Sequence, residues 1–191
     1  MARTKEFDRE RALERAMQVF WVKGYTATSL DDLLEATGIG RQSLYDTFGS
    51  KRELFGEAIH RYIDRSAESH ACIATSESPR RAIREMFEAI IDEGPASQRR
   101  GCFGVNTTVE LAPHDPDIAK LIAARQRALE DHLYAGLERA KQLGELPRGK
   151  DSRGLARFLI GALQGLRVAA TADPGAPGLR DIVRFTLAAL D

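Results

Sequence analysis

The chain has 191 residues, with 28 Lys or Arg against 28 Asp or Glu, so its formal net charge is zero. That length can bury a sizeable core, as one domain or as a small domain joined to a larger one, and the charge balance excludes a protein that coats nucleic acid through surplus positive charge. Two cysteines, Cys72 and Cys102, are too few for a disulfide framework, and the opening MARTKEFDRERALERAM lacks the apolar stretch of a secretory signal.

Residues 1–7 are polar, with Arg3 and Lys5 available as an arm along DNA or simply solvated. Asp8 suits the cap of a helix from Arg9 to about Lys23, in which Leu13, Ala16, Met17 and Phe20 recur at helical spacing. Trp21 is expected to close this small core, and Gly24 to end the helix.

Thr28 and Ser29 precede a second apolar-periodic run, and Asp32 stands three residues after Ser29, the spacing of a capping box. Leu30, Leu33 and Leu34 share one face of a helix ending near Thr37. Gly38 suits a left-handed C-cap, Ile39 is a single apolar plug, and Gly40 opens the next helix with little steric cost. That helix, Arg41 to Phe48, buries Leu44 and Phe48 and leaves Arg41, Gln42, Ser43 and Tyr45 outward. A helix too short to stabilise itself, displaying donors near its N-terminus, fits the recognition helix of a helix-turn-helix. Arg41 can pair with guanine and Gln42 with adenine, while Ser43, Tyr45 and the following Lys51 suit phosphates. Thr28 and Ser29, at the head of the preceding helix, complete the expected DNA-contacting set. The same spacing also fits a helical hairpin with a solvated face.

Ser50 with Glu53 is a second capping box, opening a long helix whose apolar face runs through Leu54, Phe55, Ala58, Ile59, Tyr62 and Ile63. Its far end would move the reading head. The stretch Thr75–Ser78 breaks the pattern, so the expected division is 1–52, with the start of the connecting helix to about 65, and 66–191. Ser78-Pro79 launches a helix bearing Ile83, Met86, Phe87, Ile90 and Ile91 that ends at Gly94-Pro95. Residues 96–101 are expected to be a polar loop. A short helix of mixed polarity follows over Cys102 to Ala112, and a scaffold helix over about Asp117 to Leu143.

The last two helices, Asp151 to Thr171 and Leu179 to Leu190, carry broader apolar faces than one subunit's core needs, which predicts a subunit interface. Phe158, Leu159, Ala162, Leu166, Ile182, Val183 and Leu187 are its expected members, with Gly161 and Gly165 allowing close approach. No strand-like alternation occurs, so the fold class is all-α. No phosphate loop, nucleophile elbow or metal-ligand spacing is present, His60, His70, His114 and His132 being scattered. Neither an enzyme, nor a metal, nor a cofactor is expected. Without a long apolar run, no membrane partner is expected and the chain should be cytoplasmic.

The segment Gly38-Ile39-Gly40-Arg41-Gln42-Ser43-Leu44-Tyr45, then Phe48, Ser50-Lys51 and Leu54-Phe55, resembles the N-terminal signature of the tetracycline-repressor (TetR) family of bacterial transcriptional regulators. So does the upstream pattern of Phe20, Gly24-Tyr25 and Thr28, and the resemblance spans about residues 9 to 65. Asp46 and Thr47 depart from it, standing where the family usually carries aromatic or His residues; Asp46 would repel phosphate. The resemblance implies a three-helix N-terminal DNA-binding domain and a larger C-terminal ligand-binding and dimerisation domain, about nine helices in all, with the last two pairing across a two-fold axis. It implies a homodimer on a pseudo-palindromic double-stranded DNA operator, most simply a repressor, released by a small-molecule effector. The implied pocket lining is Met86, Phe87, Ile90, Phe103, Asn106, Val109, Glu110 and Leu129, with His132 and Gln164 as polar anchors. Of these, Asn106 and Glu110 stand out because burying them needs a partner. Two alternatives remain beside this reading. Cys102, just after Arg99-Arg100 at a helix N-terminus, suits a redox-responsive regulator; a helical adaptor that binds no DNA is the other.

Overall fold

The computed structural model describes residues 7–191, all of whose regular elements are helices. Arg3 and Lys5 lie outside the described residues.

Asp8 caps α1 (Arg9–Lys23) by accepting from the amides of Glu10 and Arg11, and Gly24, at φ 79°, ends it. In α2 (Leu30–Thr37) the capping box is complete: Ser29 accepts from the Asp32 amide at 3.1 Å, and the Asp32 carboxylate accepts from the Ser29 amide at 2.9 Å. Gly38, at φ 71°, sits in the left-handed region that a side chain would disfavour and turns the chain into α3 (Arg41–Phe48). Leu44 and Phe48 of α3 are buried, and Ile39 plugs the turn between the two helices.

Ser50 and Glu53 form the second capping box, at the start of α4 (Lys51–Thr75). At ~1.5 Å per residue α4 is about 37 Å long. It is followed by α5 (Pro79–Asp92), α6 (Pro95–Arg100), α7 (Phe103–Leu111), α8 (Pro116–Gln142), α9 (Ser152–Ala172) and α10 (Pro177–Ala188). The polar stretch expected to be a loop is thus helical as α6. Pro95 at its first position starts it, and the buried Gln98 holds it by donating to the carbonyls of Ile90 and Ile91 at 2.9 and 3.2 Å. Among the described residues there are ten helices, or nine with this short turn set aside.

Two apolar cores follow. The first joins α1, α2, α3 and the front half of α4 around Phe20, Phe55 and Leu44, but Phe103, Ile118 and Ile122 from α7 and α8 complete it. The second fills the space between α5, α8, α9 and α10. The N-terminal helices therefore form no separate globule; their core is closed by the body of the protein. Trp21 packs against the first core as expected, stacked on Phe103 at 6.0 Å. Its indole donates to the Gly101 carbonyl at 3.1 Å, packs edge-on to Tyr62 at 5.0 Å and lies beneath the Arg100 guanidinium at 4.0 Å, so it seals the joint between these helices and the body. By length and composition α9 would suffice to cross a membrane, yet it contains no long uninterrupted apolar run and packs along α8 and α10 as a bundle helix.

Candidate nucleic-acid interface and central cavity

The helix-turn-helix presents α3 on the surface because its inward face is spent on Leu44 and Phe48. Arg41, Gln42 and Tyr45 are exposed, Ser43 is half-buried, and Lys51 stands at the next helix's first residue. These groups have weak partners on the protein. Arg41 lies 3.3 Å from the Asp31 carboxylate, and Gln42 donates to Asp46 one turn on at 2.8 Å. Lys51 sits over the Tyr25 ring at 4.5 Å. Exposed pairs of this kind contribute on the order of 0.2–1 kcal/mol, so base edges and phosphates can displace them. Asp46 thus has a place: it accepts from the Gln42 side chain one turn back. Thr28 does not fit the expected contact set, being 1 % exposed with its hydroxyl donating to the Gly24 carbonyl at 2.5 Å. It shapes the turn into α2. Ser29 stays at the surface, its oxygen occupied by the cap.

The body holds a cavity of about 360 Å³ between α4, α5, α7, α8 and α9. Of the ten residues expected to line it, Met86, Ile90, Leu129 and Gln164 do so. Phe87 points into the second core, and Phe103 into the first. Asn106 turns away to donate to the Arg100 carbonyl at 3.2 Å, and Val109 is 75 % exposed. His132 borders only a separate void of about 30 Å³ that it shares with His70. Glu110 has its partners elsewhere. Its carboxylate accepts from the amides of Tyr25 at 3.0 Å and Thr26 at 2.7 Å, in the turn before α2. A Cβ at Gly24 would come within 2.9 Å of that carboxylate, so glycine is needed there for space as well as for φ. Asp115, which caps α8, likewise accepts on Oδ2 from both Nε and Nη2 of Arg52 on α4, at 3.0 and 2.6 Å. The two acids tie the body to the reading head.

Apart from Gln164, the cavity's polar wall comes from residues not expected there. Ser66, Ser69 and His70 interrupt the apolar face of α4, which is the signal that could have found them. Tyr62 Oη lies 3.2 Å from Cys102 Sγ, and both border the cavity with Arg125 of α8 and Arg167 of α9. Burial pushes the Tyr62 phenol well above its ordinary range, with the neighbouring Cys102 adding to it. Burial, helped by Arg125, His132 and Arg167, pushes His70 down to about 4, so its imidazole is neutral at physiological pH. An arginine on a long amphipathic helix gives no sequence signal for a cavity, since it reads as a solvated face.

Residues 12–58 match the model of the bacterial regulatory proteins of the tetR family, and residues 79–181 match a tetracyclin repressor-like C-terminal domain. The chain belongs to the TetR family. Over 197 aligned residues it is 39 % identical to the uncharacterised HTH-type transcriptional regulator YezE of Bacillus subtilis, covering all of both chains. It is 37 % identical to the HTH-type transcriptional repressor ComR of Escherichia coli, over 97 % of this chain and 90 % of that one. Among solved structures, a cysteine mutant of the TetR family regulator CifR, complexed with a 26-bp double-strand operator DNA, superposes with a TM-score of 0.84 at 30 % identity over the full length of both chains. A TetR-family protein is a DNA-binding transcriptional regulator and not an enzyme, and its domain order is the one described here.

The last helices expose part of the apolar face expected of an interface. Phe158, Val168 and Phe185 are 49, 55 and 66 % exposed, and Ala162 and Ile182 are half-buried beside them. Leu159, Leu166, Val183 and Leu187 are instead buried in the chain's own core, because the helical faces they share point toward α5 and α8.

Proposed function

We propose that this TetR-family protein is a ligand-responsive repressor that binds a pseudo-palindromic operator as a homodimer and is released by a small molecule seated in the cavity. Arg41 and Gln42 read base edges, while Ser43, Tyr45, Ser29 and Lys51 contact phosphates. Residues 1–52 act as the reading head, and 66–191 as the effector-binding and dimerisation domain, at work in the cytoplasm. A lone eight-residue helix reads few bases, so a two-fold pair is the physical route to affinity and specificity. The exposed Phe158, Val168 and Phe185 supply that pairing surface.

The observation that carries the reading is the continuity of α4. Its first turn lies under α3, and its middle forms the cavity wall at Tyr62, Ser66 and His70. A ligand that spreads the wall shifts the same rigid element that carries the head, while Glu110 and Asp115 transmit the movement of α7 and α8. Its effect is bounded by its differential affinity for the two arrangements. Gel-shift against the DNA upstream of the protein's own coding region tests the proposal. Retention that is sequence-selective and weakens with salt is expected, whereas no retention at low salt would establish a helical adaptor instead.

A second reading has one observation in its favour. Cys72 and Cys102 border the same cavity, so an oxidant entering it meets both thiols. Operator retention before and after peroxide, with Cys102→Ser as control, decides it; unchanged retention removes redox sensing.

A further inference from the structure

The cavity wall carries a charge that the protein does not neutralise. Arg125, projecting from α8, makes no ion pair and no hydrogen bond among the described residues, and its guanidinium lies 5.9 Å from the Tyr62 ring centroid. Gly104 leaves room for it: a Cβ there would stand 3.1 Å from the nearer guanidinium nitrogen. The other charged groups on the wall are already matched. Arg167 holds the Glu93 carboxylate at 2.6 Å, and Glu85, at the largely exposed rim of the cavity, lies 3.5 Å from Arg81 one turn back on α5. His70 is kept neutral by burial and by Arg125 itself, and the Tyr62 phenol keeps its proton. What remains is an apolar chamber, built by Ile73, Met86, Ile90, Leu129 and Leu163, with one unpaired cation at its side.

A guanidinium that opens into the cavity with no protein partner can receive an anion, and a carboxylate on an apolar body both matches its fork and suits the apolar lining. We propose that the effector is a small organic anion, an apolar body bearing a carboxylate that Arg125 receives, with Gln164 as a neutral donor on the same wall. The inference rests on the effector reading given above. It also accounts for a cavity of about 360 Å³, which suits a small acid and lies at the lower end of ligand pockets, roughly 300–1,000 Å³.

Isothermal titration calorimetry on the full chain, with octanoate, phenylacetate and the uncharged octanol, tests it. At least one carboxylate should bind the wild type, octanoate should bind more tightly than octanol, and Arg125→Gln should weaken carboxylate binding roughly tenfold or more, the loss expected for a charged hydrogen bond. Arg125→Lys should recover part of that loss, and octanol should be indifferent to both changes. Octanol binding as tightly as octanoate, an Arg125→Gln variant with wild-type affinity, or neither carboxylate binding would each overturn the proposal. The octanoate and octanol comparison needs no variant, so it stands even if Arg125→Gln folds poorly. Operator retention measured on the same preparation separates the two claims: DNA binding without carboxylate binding refutes the anion site and spares the regulator.

Discussion

Arg41, Gln42 and Lys51 lie within one patch but should behave differently when removed. Bidentate contacts to base edges carry roughly 1–3 kcal/mol of discrimination each, so Arg41→Ala and Gln42→Ala should relax sequence selectivity. Lys51→Ala should weaken binding to all duplexes alike and reduce the salt slope by about one. Competition gel-shifts over a salt series distinguish these outcomes; three variants indistinguishable from the parent would mean that α3 is not the reading helix. Glu110 offers a test of the joint. Glu110→Ala leaves the Tyr25 and Thr26 amides without their acceptor, which should lower stability by about 1–2 kcal/mol and weaken operator binding, because the turn before α2 loses its brace. Denaturant midpoints and gel-shifts on that variant are the check. His70 predicts a pH dependence. Its folded value near 4 lies below the ordinary 6.5, so as pH falls through that window the unfolded chain binds the proton first and stability drops. Denaturation midpoints at about pH 7 and about pH 5 should therefore differ, and His70→Asn should narrow the difference.

At the scale of elements, caps and periodicity were legible and destinations were not. Both capping boxes, the glycine stops at Gly24 and Gly38, and the proline starts of α5 and α8 are local chemistry, and the helices begin and end where that chemistry says. Helix α6 was missed because no apolar period marks six residues held by one buried glutamine. The cavity was half legible. A helix with apolar residues on several sides does not declare which side meets a cavity, so Phe87 and Phe103 were assigned to a pocket although they fill cores. Glu110 was rightly singled out as needing a partner, but the partner lies in another domain, 84 and 85 residues away along the chain, which no local pattern encodes. The same limit applies to α9 and α10, where Leu159 and Leu166 face inward and Phe158 and Val168 outward. Charging the outward face tests its role. Phe185→Glu should leave the fold intact, since the side chain is mostly exposed, yet convert a dimer to a monomer in sedimentation and reduce operator affinity by roughly tenfold or more. A variant that sediments like the parent would move the interface elsewhere.

The whole molecule couples its two ends through shared cores. Because Phe103, Ile118 and Ile122 complete the core of the reading head, the head cannot change its angle without α7 and α8 adjusting. Arg52 with Asp115, and Glu110 with the α1–α2 turn, add polar links across the same joint. A zero net charge fits this design: without a surplus to hold the chain on arbitrary DNA, affinity has to come from placed contacts, and the proposed pairing of two heads would add to them. The most direct measurement is the crystal structure of the protein on its operator duplex. It should show two copies with their α3 helices in successive major grooves about 34–36 Å apart, Arg41 and Gln42 on base edges. Finding α3 turned to solvent, with the duplex held by another surface, would contradict the account.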